Sequence, residues 1–167
     1  KTMRHLIHIV IFLSCTANLV QAQTVYHVNI KLEGMIDPGV SAFIERVIED
    51  AEADEVDAIV FEIDTFGGRV DAATVIRDAI LDANALTIAF VNKRAISAGA
   101  LISLACDKIV MTQASTMGAT TPVDGSGTKG SDKTVSYMRA EMRATAERTG
   151  RDVKIAEAMV DERIDVP

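Results

Sequence analysis

The stretch Ala58-Ile59-Val60-Phe61-Glu62-Ile63 is an apolar run of strand length, Gly67-Gly68 punctuates the chain just after it, and Val70 to Ala83 continues with helical spacing. A buried strand, a tight turn and a helix therefore succeed one another. Upstream, Tyr26, Val28, Ile30 and Leu32 alternate with His27, Asn29 and Lys31, the period of a strand with one polar face. Asp37-Pro38 then supplies an N-cap and a first-turn proline for a helix whose inner face is expected to carry Phe43, Ile44, Val47, Ile48 and Ala51. Downstream, Leu86 to Val91 reads as a strand, and Ile96 to Cys106 as an apolar, small-residue segment. Lys108 to Thr112 reads as a short strand, and Ala114 to Gly130 as a polar, glycine-containing loop. Helices are expected over Asp132–Thr149 and Val153–Glu162. Repeated strand–helix units imply right-handed crossovers, hence an α/β fold with a mainly parallel sheet flanked by helices.

Composition narrows the chemistry. The chain has 167 residues, 49% apolar and 25% charged, which suits one globular domain. Seventeen basic against 24 acidic residues, no tryptophan and 4% aromatics leave neither a basic groove nor a stacking platform, so nucleic acid is not an expected partner. Cys15 and Cys106 form no CxxC or Cys/His spacing, so neither a disulfide framework nor a metal site is expected.

The N-terminus reads as a separate object. Lys1 and Arg4 precede the apolar run Leu6 to Leu13, and Val20-Gln21-Ala22 ends the segment in small-residue fashion. The expectation is an export signal at residues 1–22, cleaved after Ala22, with the domain itself spanning residues 23–167. An uncleaved anchor is the alternative, although the run is short and interrupted for a bilayer span of roughly 20 residues.

Few residues after position 22 can carry catalysis. His27 is the single histidine left and sits on the polar side of a strand, where a surface role is expected. One histidine cannot make a metal cluster, so the remaining route to a nucleophile is a serine activated by a lysine. Gly67-Gly68 lies between strand and helix, where a glycine amide can approach a ligand and stabilise an oxyanion. Ser97 opens Ser97-Ala98-Gly99-Ala100 at the start of an apolar helix, with the Ala98 amide as a second oxyanion donor; the alternative is a plain N-cap serine. Ser103, deeper in that helix, reads as a packing residue. Lys133 comes after Ser131-Asp132 at a helix start, where the helix dipole favours an uncharged amine. Spacing does not choose among Lys129, Lys133 and Lys93.

These motifs together resemble the ClpP-class serine endopeptidases of the NfeD type, membrane-associated relatives of signal peptide peptidase A. The resemblance runs from about Tyr26 to Asp165 and rests on Glu62-Ile63-Asp64-Thr65-Phe66-Gly67-Gly68, Ala95-Ile96-Ser97-Ala98-Gly99-Ala100, Ala105-Cys106-Asp107-Lys108-Ile109-Val110 and Met117-Gly118-Ala119 with Pro122-Val123. It implies a ClpP/crotonase-like fold and a Ser-Lys dyad with Ser97 as nucleophile. Counting back from Gly150-Arg151-Asp152 puts its base on Lys133. The resemblance also implies oxyanion donation from the Gly68 and Ala98 amides, no cofactor, and action on hydrophobic stretches of membrane-associated proteins such as stomatin-like partners. A homodimer or larger assembly on the extracytoplasmic side of the cytoplasmic membrane is implied as well. Phe66 departs from the pattern, which has proline there. Such proteases continue past the position of Pro167 into membrane helices and an OB-fold domain, so a C-terminally incomplete protease domain is expected. Two other readings compete: a non-catalytic ClpP-like scaffold that binds partners, and a crotonase-type acyl-CoA enzyme using the paired amides on an enolate.

Overall fold

The computed structural model describes residues 23–31 and 35–160. The expected export signal at residues 1–22 and the end of the last expected helix lie outside them. The elements, in chain order, are β1 (Val25–Lys31), α1 (Pro38–Ala53), β2 (Ala58–Thr65), α2 (Val70–Asp82), β3 (Leu86–Ile96), α3 (Ala98–Ala105), β4 (Lys108–Met111), β5 (Thr116–Gly118), α4 (Asp132–Arg148) and α5 (Val153–Ala158). The strands form one sheet in the order β1-β2-β3-β4, every pair parallel, with β5 also pairing β3. The α/β, mainly parallel architecture read from the sequence is the one the chain adopts.

Local chemistry explains the elements. Asp37 caps α1 by accepting the amides of Gly39 and Val40 at 2.9 and 3.0 Å, with Pro38 in the first turn where its missing N–H costs nothing. The buried stripe of α1 is Ser41, Ile44, Ile48 and Ala51, so Phe43 falls off it and is exposed. On β2 and β3 the odd-numbered residues other than Lys93, which lies in the bulge, are buried, among them Ile59, Phe61, Ile63, Ala89, Val91 and Ala95. They join Ile44 and Ile48 of α1, Ile76 and Ile80 of α2, and Leu101 and Ile102 of α3 in one core. The half-buried even-numbered face mixes apolar Val60, Ile88 and Phe90 with a polar end, where Glu62 accepts from Asn92 Nδ2 at 2.8 Å and Asp64 from Arg94 Nε at 3.0 Å.

Two departures from the sequence reading bear on the site. β3 runs on past Val91 to Ile96, through Lys93 and Arg94, because the strand bulges: Ile63 pairs with Val91, but Thr65 pairs with Ala95. A bulge bends a strand and re-aims the residues beyond it, and here the first residue beyond the strand is Ser97. β5 lies inside the stretch expected to be loop, and its three residues pair with Arg94, Ala95 and Ile96 beyond the reach of β4. The Gly150-Arg151-Asp152 turn is structural. Gly150 takes φ +68° behind α4, and the Arg151 guanidinium bonds the carbonyl oxygens of Leu104, Cys106 and Asp107 at 3.0, 2.7 and 3.2 Å, closing the C-terminus of α3.

Candidate active site

Ser97 stands between the bulged end of β3 and the first turn of α3. Its backbone is at φ 54° and ψ −114°, a conformation that L-residues avoid. It makes no side-chain cap bond, so the N-cap alternative does not describe its hydroxyl. Two sets of hydrogen bonds hold the strained residue. Its N–H donates to the Gly118 carbonyl at 2.8 Å, and its C=O accepts from the Ala100 and Leu101 amides at 3.0 and 3.3 Å. The Ser97–Ala98 peptide is planar and trans, so a carbonyl turned into the helix sends the Ala98 N–H the opposite way, out of the helix N-terminus.

The Gly67-Gly68 turn obeys the same rule. The Gly67 carbonyl accepts from Ile36 N–H at 3.0 Å and the Arg69 amide donates to Ile36 O at 2.8 Å, so Ile36 clamps the turn as an isolated parallel bridge. With that carbonyl pointing at Ile36, the Gly68 N–H points away from it. Among the described residues no protein acceptor takes the Gly68 or the Ala98 amide. Glycine is required at both turn positions. A Cβ on Gly68 would lie 2.2 Å from the Ile36 backbone, and one on Gly67, at φ +112°, would lie 2.7 Å from Ser97 Cβ. The turn thus packs directly against the nucleophile candidate.

A cleft of about 700 Å³ opens over these atoms. Gly67, Gly68, Ile96 and Ser97 form its floor, and Met35, Phe66 and Val123, all well exposed, form an apolar rim. Phe66 stands where proline was expected, and Arg94, itself held by Asp64, lies over its ring at 4.5 Å. Arg69, at the cleft wall, bonds Asp71 at 2.9 Å, and this guanidinium holds the Asp71 carboxylate down at about 2. Over the cleft hangs a hairpin. Val123 bridges Lys129, Asp124 N–H donates to Thr128 O at 2.8 Å, and Gly130 N–H to Pro122 O at 2.8 Å. Asp124 organises its tip by accepting from the Ser126 hydroxyl and from the Ser126 and Thr128 amides, which lowers its carboxyl below the ordinary range.

The other candidates lie elsewhere. His27 is on β1 in register with Val60, which pairs with Ile88, nine residues before Ser97 and towards the opposite end of the sheet. It faces Glu62 at 3.2 Å and takes no part in the site. Lys93 is exposed on the outer face of β3 and faces Asp64 at 3.9 Å. Ser103 is fully buried and donates to Gly99 O at 2.7 Å, a packing role as expected. Cys106 is buried, with its thiol pushed up by desolvation. Lys129 and Lys133 are both exposed, one on the hairpin and one in the first turn of α4 behind the Ser131 cap, and neither lines the cleft. No group of His, Cys, Asp and Glu among the described residues could hold a metal. The sequence reading missed Ile36, whose backbone aims one amide, and the Gly118 carbonyl, although Met117-Gly118-Ala119 was a motif without a stated role.

Comparison with known proteins agrees with this fold. Residues 24–167 match the family described as NfeD1b, N-terminal domain. The membrane protein NfeD1b of Bacillus subtilis is 40% identical over 145 residues, covering 87% of this chain and 33% of its own length. The membrane-bound protease PH1510 of Pyrococcus horikoshii is 31% identical over 166 residues, 95% of this chain and 37% of its own. The chain thus spans about a third of the length of the curated relatives it matches. Among solved structures, a lysine-to-alanine mutant of the 1510-N membrane-bound stomatin-specific protease in complex with a substrate peptide superposes with a TM-score of 0.78. It is 28% identical, with 87% of this chain and 69% of that one covered. The ClpP-like fold implied by the sequence resemblance is the fold found.

Proposed function

The chain belongs to the NfeD1b family, and from that premise we propose that it is the protease domain of a serine endopeptidase with Ser97 as nucleophile. The observation that carries the reading is the strained Ser97 at the floor of a cleft, beside two amides, Gly68 and Ala98, without protein partners among the described residues. In the proposed reaction Ser97 Oγ adds to the peptide carbonyl while its proton passes to the lysine amine. The two amides stabilise the oxyanion, and the C–N bond breaks as the lysine returns the proton to the leaving amine. Water, deprotonated by the same lysine, then releases the acyl group from Ser97. No cofactor enters this scheme.

The base in this proposal is Lys133. Its helix is tied to the cleft through the hairpin, since Gly130, three residues before Lys133, is bonded to Pro122 at 2.8 Å and packs near Thr134. The substrate class is apolar stretches of membrane-associated proteins, stomatin-like ones included, which the rim of Met35, Phe66 and Val123 supports. The proposal extends to an export signal at residues 1–22, a homodimer or larger assembly, and work on the extracytoplasmic side of the membrane. Among the described residues no helix is long and apolar enough to cross a bilayer.

One observation favours a second reading, a partner-binding domain without turnover: Arg69 and Asp124 are the titratable side chains among the described residues that line the cleft, and neither is a suitable base for Ser97. A serine-directed fluorophosphonate separates the two. An adduct on Ser97, lost in Ser97→Ala, supports the protease. Labelling that persists in Ser97→Ala removes Ser97 as nucleophile, and no labelling at all favours the binding domain.

A further inference from the structure

Thr65 ends β2 between the Gly67-Gly68 turn and the first turn of α3, is 1% exposed, and touches both of them. Its Oγ1 accepts the Gly67 N–H at 2.9 Å. Its Cγ2 is the atom that a Cβ on Gly99 would meet at 2.5 Å. The hydroxyl thus engages the turn that presents the Gly68 amide, and the methyl lies against the first turn of α3, which presents the Ala98 amide. From this we infer that Thr65 is a positioning residue whose side chain fixes the spacing and direction of the two oxyanion amides; the inference rests on the protease reading.

What Thr65 removes is backbone freedom. Gly67 can rotate through positive and negative φ at little cost, so by itself it does not hold a peptide plane. Its N–H is held by Thr65 and its C=O by Ile36, which together fix both sides of the residue and leave the Gly68 N–H one direction. Removing the Thr65 hydroxyl leaves a buried Gly67 N–H without its acceptor, and rotating the turn to satisfy it would swing the Gly68 amide away from the cleft. The methyl acts on the other donor, because glycine at position 99 lets α3 approach until Cγ2 stops it. Valine keeps the shape and loses the acceptor, whereas serine keeps the acceptor and loses the stop.

The test uses the 167-residue chain with Thr65→Val and Thr65→Ser, read by hydrolysis of an apolar fluorogenic peptide, by the rate of Ser97 labelling with a fluorophosphonate, and by thermal melting. Thr65→Val is expected to lower kcat about tenfold or more with KM within about twofold, and to slow labelling by a similar factor, because the affected interaction exists only with the oxyanion. Thr65→Ser, which restores the acceptor but not the methyl stop, is expected to recover part of the loss and no more. If Thr65→Val does not fold, Thr65→Ala takes its place in the comparison with Thr65→Ser. A lowered melting midpoint with unchanged kcat and labelling rate in the folded variant would reduce Thr65 to a packing residue and overturn the inference alone. An unsubstituted chain that neither labels nor cleaves overturns the protease reading and this inference with it.

Discussion

The Ser97 amide donates to the Gly118 carbonyl at 2.8 Å, so the nucleophile candidate is tied to a strand 21 residues further along the chain. The tie explains two otherwise unexpected elements, the extension of β3 past its bulge and the three-residue β5 that pairs with it. Gly118 is at φ +139°, where a side chain is strained although the nearest atom, Met159 Cγ, leaves room at 3.7 Å. Gly118→Ala is therefore expected to cost about 1–3 kcal/mol through backbone strain, read by chemical denaturation, and to slow Ser97 labelling. Unchanged labelling would show that the Gly118 carbonyl does not position Ser97.

Gly68→Ala should be more damaging for a different reason. Its Cβ would meet backbone atoms of Ile36 at 2.2 Å, which no rotamer change relieves. A loss of about 3 kcal/mol is expected. Gly125→Ala, whose Cβ meets nothing within 4 Å, is the control and should leave the unfolding midpoint almost unchanged.

For the base, Lys133→Ala is expected to lower turnover by about 10²–10⁴ without unfolding the chain, since the residue is exposed in the first turn of α4. Lys133→Arg should fail equally, because a guanidinium keeps its proton. Full activity in Lys133→Ala with loss in Lys129→Ala would move the base to the hairpin, and activity in the double variant would end the dyad mechanism.

The hairpin should be insensitive to pH across the neutral range. The Asp124 carboxyl is lowered from 3.8, first by the Ser126 hydroxyl, so the folded hairpin prefers the charged form. That preference stabilises the hairpin in full above the unfolded value and is lost only as pH falls below it through the lower folded value. Amide exchange at Ser126 and Thr128 should therefore be protected equally at pH 5 and pH 8, after correction for intrinsic rates. Asp124→Ala should remove this protection at both. Loss of protection between pH 8 and 5 in the unsubstituted chain would refute the assignment.

Much of the fold was legible from residue order because it is local chemistry. Asp37-Pro38 announces α1, the apolar run 58–63 announces β2, and Ser131 announces α4, where it accepts the Thr134 amide. The small residues at 67, 68 and 99 mark the places where backbone meets backbone or a side chain from another segment. Other features are relations between distant segments and leave no pattern. Lys93-Arg94 read as the end of a strand because their partner, Asp64, is about 30 residues away and turns two charges into a face of β3. Ile36 looks like any core isoleucine, and what it contributes to the site is its main chain. Lys129 and Lys133 could not be separated by spacing, because they lie only four residues apart on either side of the junction between the hairpin and α4.

The backbone of Ser97 sets function against durability. A φ of 54° with ψ −114° is comfortable only for glycine, and holding a serine there is worth about 1–3 kcal/mol of lost stability. Ser97→Ala keeps that burden, because it retains the Cβ that causes the strain. Ser97→Gly removes it, and should melt higher than both the alanine variant and the unsubstituted chain while taking no label. The most robust version of this domain is thus one that has given up its nucleophile, and a screen for thermal tolerance alone would drift toward it.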